Sequence, residues 1–333
     1  MNDKRINCWE YMKCGRGPDQ GKAACPAASK SWFDGMNDGI NAGRSCWLIA
    51  GTDCKGKIKG TFARQYESCR QCAFFKQVHG RKDRTALAIK NIDIVGATHT
   101  GLVHQANEDR YIVRQMEDNA LLLGVADGLG GDVSSDVAAE LARGKLSSLG
   151  RLPKGRELTF LDTFIKALDE YIHDQAQTRP SLAYMATTLV CTVLRSDRIF
   201  WVNAGDSRFY LLRNGRLSQV SQDQTLANAL VEAGRLKPED AETHYSHKIL
   251  DQCLGYGMCE PQTGTLKAEK GDLLLLSTDG LYKMVDDGLI LEILNSGQSL
   301  HEKTTALLES ALAGGGKDNI TIITAQIKET LST

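Results

Sequence analysis

Acidic residues recur where apolar runs give way to loops. The run LLLGV at 121–125 drives into Asp127, and Gly128, Gly130 and Gly131 follow at once. The same theme returns in GDLLLLSTDG, which ends on Asp279-Gly280, and Asp318 borders the final apolar run at 319–327. Glu108 and Asp109 lie together in the polar loop GLVHQANEDRY, and Asp206 follows the apolar stretch at 201–205. A carboxylate at the end of a rigid strand, with the next carbonyl free to turn toward the same point, suits a hard cation such as Mg²⁺ or Mn²⁺. Glycine lets the backbone turn sharply and approach a bound group closely. Carboxylates gathered without such an ion repel: at about 4 Å a like-charged pair costs roughly 4 kcal/mol at an effective dielectric near 20. Asp-Gly after a strand also makes an ordinary turn, so each acid alone could be a turn residue.

A second group with chemistry lies at the other end. Seven of the ten cysteines, Cys8, Cys14, Cys25, Cys46, Cys54, Cys69 and Cys72, fall within the first 72 residues. Cys69-x-x-Cys72 has the spacing of a metal-binding knuckle. Cys8-Trp9 and Cys46-Trp47 each precede a further cysteine, Cys14 and Cys54, which hints at an internal duplication. A segment this short buries little apolar surface and usually needs metals or cross-links. Thiolates fit Zn²⁺ or an iron–sulfur cluster. Buried inert thiols, or disulfides in an exported protein, are the competing explanations. The N-terminus, MNDKRINCWEY, has no apolar core of a signal peptide, and no apolar run is long enough to span a bilayer. A cytoplasmic location, where thiols stay reduced, is therefore expected.

The elements that must position these residues follow from periodicity. Charge breaks near residue 80: residues 1–80 hold 13 Lys and Arg against 7 Asp and Glu, and the rest holds 27 against 34. We expect a Cys-rich domain over 1–80, a polar linker over 81–90 beginning in HGRKDR, and a larger domain over 91–328. NIDIVGAT at 91–98 is β-branched and alternates, as a strand does. Val137, Leu141 and Leu149, with Ala138 and Ala142, fall at helical spacing. Leu161, Phe164, Ile165, Leu168 and Ile172 form a longer stripe, with Pro180 beyond it. Residues 187–217 are strand-rich, and Asn214-Gly215 signals a hairpin. Residues 225–260 change to short helical pieces. Ser299-x-x-Glu302 is a capping box opening a helix that Gly314, Gly315 and Gly316 end. A net charge of −1 gives no pull toward nucleic acid or a membrane surface.

The motifs GLVHQANED, ADGLGG, MATT, NAGDSRFYLLRNG, GDLLLLSTDG and GGKDNIT come in one order across residues 93–327. In that order they resemble the metal-dependent Ser/Thr protein phosphatases of the PP2C (PPM) family. NCWEYMKCG, CPAA, CWLIAGTDC and CRQC likewise resemble the small two-CW domain attached to bacterial signalling proteins. The first resemblance implies an α+β fold, an α-β-β-α sandwich of two antiparallel sheets flanked by helices, beside the small Cys-rich domain. It implies that Asp127 bridges two Mn²⁺ or Mg²⁺ ions, that Glu108 and the carbonyl of Gly128 hold one, and that Asp279 and Asp318 hold the other. Asp109 would orient water, and Asp206 would match the acid of a third, weaker metal. Residues 225–260 would be the flap. A pair of such metals activates water for in-line attack on phosphorus, so no side-chain nucleophile and no phosphoenzyme is expected. The substrate would be a phosphoserine or phosphothreonine protein, a bacterial signalling protein or kinase target.

Departures from the family pattern matter. His104 stands where the family usually has an Arg that grips phosphate, and histidine carries charge only when protonated. His104 is thus either a weaker phosphate contact or a loop residue. Ala186 replaces a common Gly, Gln224 a common His, and Leu129 a histidine of many eukaryotic members. Two functions stay open: an active phosphatase with a regulatory Cys-rich segment, or a weakly active or inactive PP2C-like module coupled to a redox or metal sensor.

Overall fold

The computed structural model describes residues 6–30, 34, 36–49, 51–54, 57–58, 69, 71–79, 83–89, 91–129, 135–178 and 182–329. Gly130, Gly131 and Pro180, and residues 81, 82 and 90 of the expected linker, lie outside that set. The chain divides into two compact units, Met1–Arg81 and Lys82–Thr333.

The smaller unit is built from short pieces. Both Cys-Trp pairs open a helical turn, Cys8–Tyr11 and Cys46–Leu48. Its apolar centre is aromatic: Trp47 meets Phe75 edge-on at 5.0 Å, and Phe74 is fully buried. The buried Arg44 guanidinium donates to the carbonyls of Ile6 and Asn37 at 2.9 and 2.7 Å, which offsets the cost of burying its charge. All ten cysteines of the chain are free thiols.

The larger unit stacks two antiparallel sheets. In chain order its strands are β1 (Asp83–Ile89), β2 (Ile92–His99), β3 (Arg110–Gln115), β4 (Leu121–Ala126), β5 (Gly128–Leu129), β6 (Ala186–Thr187) and β7 (Leu189–Arg195). They continue as β8 (Arg198–Ala204), β9 (Arg208–Arg213), β10 (Arg216–Gln219), β11 (Gln262–Lys267), β12 (Leu273–Ser277) and β13 (Ile320–Ile327). One sheet has the order β11-β8-β7-β4-β3, the other β10-β9-β12-β13-β2-β1. Between them lie Ile94, Leu123, Val125, Val190, Phe209, Leu276 and Ile323. Strands β4 and β12 are buried at every position, which is why each reads as a continuous apolar run rather than an alternating one.

Helices cover the outer faces. Helices α1 (Ser135–Ser147) and α2 (Glu157–Gln177) pack on the first sheet. Leu161, Ile165, Leu168 and Ile172 of α2 are buried as their spacing requires. The segment at 225–260 holds α3 (Leu226–Glu232) and two single turns, Pro238–Asp240 and Tyr245–Lys248. Helices α4 (Asp279–Tyr282), α5 (Asp287–Asn295) and α6 (Leu300–Ala313) pack on the second sheet through Leu281, Ile290, Leu307 and Leu308. The Ser299–Glu302 capping box is present at the start of α6.

The structure corrects the expected linker. Asp83–Ile89 forms β1, paired antiparallel with β2 along its whole length. It is an edge strand, with Ala86, Leu87 and Ala88 exposed, so it lacks the buried face that would mark it in the sequence.

Candidate active site

Strand β4 delivers Asp127 from the first sheet, and a pair of threonines fixes it there. The Asp127 carbonyl accepts from the Thr188 N–H at 2.9 Å and the Thr187 hydroxyl at 2.8 Å, while its own N–H donates to Thr188 Oγ1 at 3.2 Å. That is the structural use of the MATT motif. Ala186, fully buried, pairs with Leu129. At Gly128 a side chain has no room: a Cβ would lie 2.3 Å from the Ser135 carbonyl and 2.8 Å from that of Glu108. Glycine here brings the Glu108 loop against the strand end.

Strand β12 delivers Asp279 from the second sheet. Thr278 donates its N–H to the Thr321 carbonyl at 3.0 Å and accepts the Thr321 N–H on Oγ1 at 3.0 Å. Its hydroxyl proton goes to Asp109 Oδ2 at 2.8 Å. Gly280 is another forced glycine, since a Cβ would meet the Asn319 carbonyl at 2.0 Å. Asn319, which sequence patterning does not single out, sews the site together. Its Oδ1 accepts the Glu108 N–H at 2.7 Å, and its amide donates to the carbonyls of Thr100 and Ala106 at 2.8 and 3.0 Å. Asp318 is the next residue along. Positions 211 apart in sequence thus meet at one end of the two sheets.

The electrostatics report that meeting. Burial raises the Asp127 carboxyl well above its ordinary range, and Asp109, Asp279, Asp206 and Asp318 push it further. Burial raises Asp109 to about 8, against the nearby hydroxyls of Thr321 and Thr278 and with help from Asp279 and Asp318. Asp206 rises to about 6, through burial and Asp279. Asp318 rises by burial and Asp279. One oxygen each of Asp109 and Asp279 is buried with no hydrogen-bond partner. A buried anionic oxygen left unpaired is costly, and a cation relieves it. Hard oxygen donors, crowded like charges and orphaned carboxylate oxygens fit a hard divalent ion. Among the described residues no group of three or more acid, histidine or cysteine side chains is arranged closely enough to hold an ion.

Two basic side chains border the cluster. His104 Nε2 lies 3.5 Å from Asp318 Oδ1, with both side chains nearly half exposed. Lys283 Nζ bonds Asp279 Oδ2 and lies 3.7 Å from Asp206 Oδ2. Beyond Asp206 opens a cavity of about 840 Å³, walled by Arg208, Asp223, Thr225, Lys248 and Tyr282. Gln224 acts as a brace between loops. Its Oε1 accepts the Gly205 N–H at 2.9 Å and its amide donates to the Glu260 carbonyl at 3.0 Å. Burial pushes Cys191, Cys253 and Cys259 up to about 12, as packing thiols.

The N-terminal cysteines also approach one another. Cys8 is lowered chiefly by a hydrogen bond with Cys46, which is raised well above the usual thiol range by the same contact and by burial, with Cys54 and Cys69 adding. Cys25 is raised by burial, with Cys8 and Cys14 adding. Cys69 and Cys72 are joined by a tight turn, Cys72 N–H to Cys69 carbonyl at 2.7 Å.

Comparison with known proteins follows the same outline. A family model described as protein phosphatase 2C matches residues 95–320. The serine/threonine protein phosphatase PstP of Mycobacterium tuberculosis is 36% identical over 232 residues, which is 68% of this chain and 45% of that protein. The serine/threonine phosphatase stp of Listeria monocytogenes is 36% identical over 232 residues, 68% of this chain and 92% of that one. The chain thus spans less than half the length of the mycobacterial relative but most of the Listeria one. The crystal structure of PstP/Ppp superposes with a TM-score of 0.65 at 35% identity, covering 72% of this chain and 99% of that one. The catalytic domain of PstP in complex with two manganese ions gives 0.63 at 34% identity, with the same coverage.

Proposed function

The chain belongs to the protein phosphatase 2C family, and on that premise we propose that it is a metal-dependent hydrolase of phosphoserine and phosphothreonine in proteins. Its relatives are Ser/Thr protein phosphatases, and one of them carries two manganese ions in its catalytic domain. The observation that supports the proposal is that burial and the crowding of Asp109, Asp206, Asp279 and Asp318 raise the Asp127 carboxyl, while one oxygen each of Asp109 and Asp279 is buried without a hydrogen-bond partner and the Glu108 backbone is tied to Asn319, beside Asp318.

In this reading Asp127 would be shared by two Mn²⁺ or Mg²⁺ ions, with Glu108 and the Gly128 carbonyl holding one and Asp279 and Asp318 the other. When bound, the ions make water nucleophilic near neutral pH and neutralise charge building on the phosphoryl group. The protein's share is placement. Thr187 and Thr188 fix the direction of Asp127, Thr278 aims Asp109, and Asn319 ties the Glu108 loop to Asp318. Asp109 has one oxygen on Thr278 and one unpartnered, the posture of a group that accepts a hydrogen bond from water. His104, beside Asp318 and nearly half exposed, would be the phosphate contact in this reading.

The substrate is taken to be a phosphorylated signalling protein or kinase target in the cytoplasm; no helix among the described residues is long and apolar enough to cross a membrane. The Cys-rich segment is assigned a regulatory or sensing role, with Cys8, Cys14, Cys25, Cys46, Cys54, Cys69 and Cys72 as candidate ligands of Zn²⁺ or an iron–sulfur cluster. The Cys8–Cys46 contact supports that assignment, and protein purified without oxygen that holds neither zinc nor iron would remove it. The phosphatase proposal is tested by hydrolysis of p-nitrophenyl phosphate with Mn²⁺, wild type against Asp279→Asn. A large loss in the variant is expected; equal rates would refute it.

A further inference from the structure

Lys283 is the C-cap of the single-turn helix α4, four residues after Asp279. That spacing returns its side chain over the face carrying Asp279. Its ammonium bonds Asp279 Oδ2 and stands 3.7 Å from Asp206 Oδ2. Asp206 lies in the turn that joins β8 of the first sheet to β9 of the second, and Asp279 follows the end of β12, the strand paired with β9. Both side chains are nearly buried, at 13% and 12% exposure. The lysine's neighbour holds the other wall in place. Tyr282 donates its hydroxyl to the Asp206 carbonyl at 3.0 Å, and the Arg208 guanidinium lies 3.5 Å over the Tyr282 ring. Arg208 is itself locked to Asp223 through paired bonds of 2.7 to 3.1 Å. It is therefore committed elsewhere, and Lys283 is the cation that faces Asp206.

Resting on the reading above, in which these acids form a dinuclear centre, we propose that Lys283 takes the place of a third divalent ion at Asp206. Asp206 is the acid that the family resemblance links to a third, weaker metal. A weakly held ion must be recruited from solution. A tethered ammonium is present at an effective concentration in the millimolar range without recruitment. It is also a compact point charge on a flexible stem, able to sit between two carboxylates of different strands. When a second ion claims Asp279, the Lys283 stem is long enough to stay on Asp206. This chain would then work with two ions and carry its third positive charge in its own sequence.

The test counts ions rather than activity. Mn²⁺ is titrated into the full chain by calorimetry, and free Mn²⁺ is followed in parallel by electron paramagnetic resonance. Wild type is expected to bind two ions per chain. Lys283→Met, which keeps the stem and removes the charge, is expected to bind three, the third more weakly. Lys283→Gln should do the same, and adding Asp206→Asn to either should return the count to two. Because Lys283 is 43% exposed, both single variants should fold, which circular dichroism checks. Three ions in wild type, or two in folded Lys283→Met and Lys283→Gln, would overturn the proposal. No manganese bound by any form would instead overturn the dinuclear reading beneath it.

Discussion

Asp169 offers the sharpest test of how the scaffold reaches the site. It lies on α2 among Leu161, Ile165, Leu168 and Ile172, and is 1% exposed. Its carboxylate accepts three backbone N–H groups from one loop: Gly255 at 2.6 Å and Gly257 at 3.0 Å on Oδ1, and Cys259 at 2.8 Å on Oδ2. Asp169→Asn keeps the shape and changes only the chemistry. With the amide oxygen toward the two glycines, the amide nitrogen faces the Cys259 N–H, donor against donor. Stranding that buried N–H costs about 1–3 kcal/mol, and the two remaining bonds, no longer to a charged acceptor, lose roughly 0.5–1 kcal/mol each. The expected destabilisation is therefore about 2–5 kcal/mol. The loop continues into the site: Leu254 exchanges backbone bonds with Thr187 at 2.8 and 2.9 Å, and Thr187 holds the Asp127 carbonyl. Mn²⁺ affinity should weaken as well. Urea unfolding followed by far-ultraviolet circular dichroism gives the first quantity and calorimetric titration the second. Less than about 1 kcal/mol lost, with Mn²⁺ binding unchanged, would show that the loop is held by other contacts.

Two further perturbations probe the flanks of the acid cluster. Glu140 on α1 is buried, yet its carboxyl is lowered, because Arg143 and Arg110 outweigh the burial that would raise it. A carboxylate lowered by folding stabilises above its ordinary range, and that stability is lost as pH falls through the lowered value. Acid unfolding of wild type should thus steepen below about pH 4. Glu140→Gln should lose roughly 2–3 kcal/mol near neutral pH and show a flatter acid limb; an acid limb identical to wild type would refute the assignment. Arg110 also donates to the carbonyls of Asn107 and Asp109, so the Glu108 loop should loosen with it. His104→Arg should lower KM for a phosphopeptide by roughly tenfold, as a bidentate, permanently charged contact replaces a weaker one. An unchanged KM would return His104 to the status of a loop residue.

The acids of the site were legible because their signal is local. An apolar run ending on Asp-Gly is written within ten consecutive residues, and burial of β4 and β12 on both faces produced that run. Asn214-Gly215 was legible for the same reason: both residues adopt positive φ, 51° and 75°, in the two-residue turn between β9 and β10. The edge strand β1 was not, since a strand paired on one side with an exposed middle has no need of apolar alternation. Asp169 was illegible in a different way. It sits beside Leu168 in a helical stripe that reads as core, and its partners are 86–90 residues away. No pattern near Asp169 announces three N–H groups that only the closed sheet and the glycine-bearing loop bring to it. Asn319 stands between these cases. It lies beside Asp318, in plain view, but its worth depends on Glu108, 211 positions earlier. A strand end can be read from one stretch of chain, whereas the groups that aim it are defined by topology. The acids proposed as ligands can therefore be read from single stretches of chain, whereas the residues that hold those stretches in place emerge only when the two sheets are seen together.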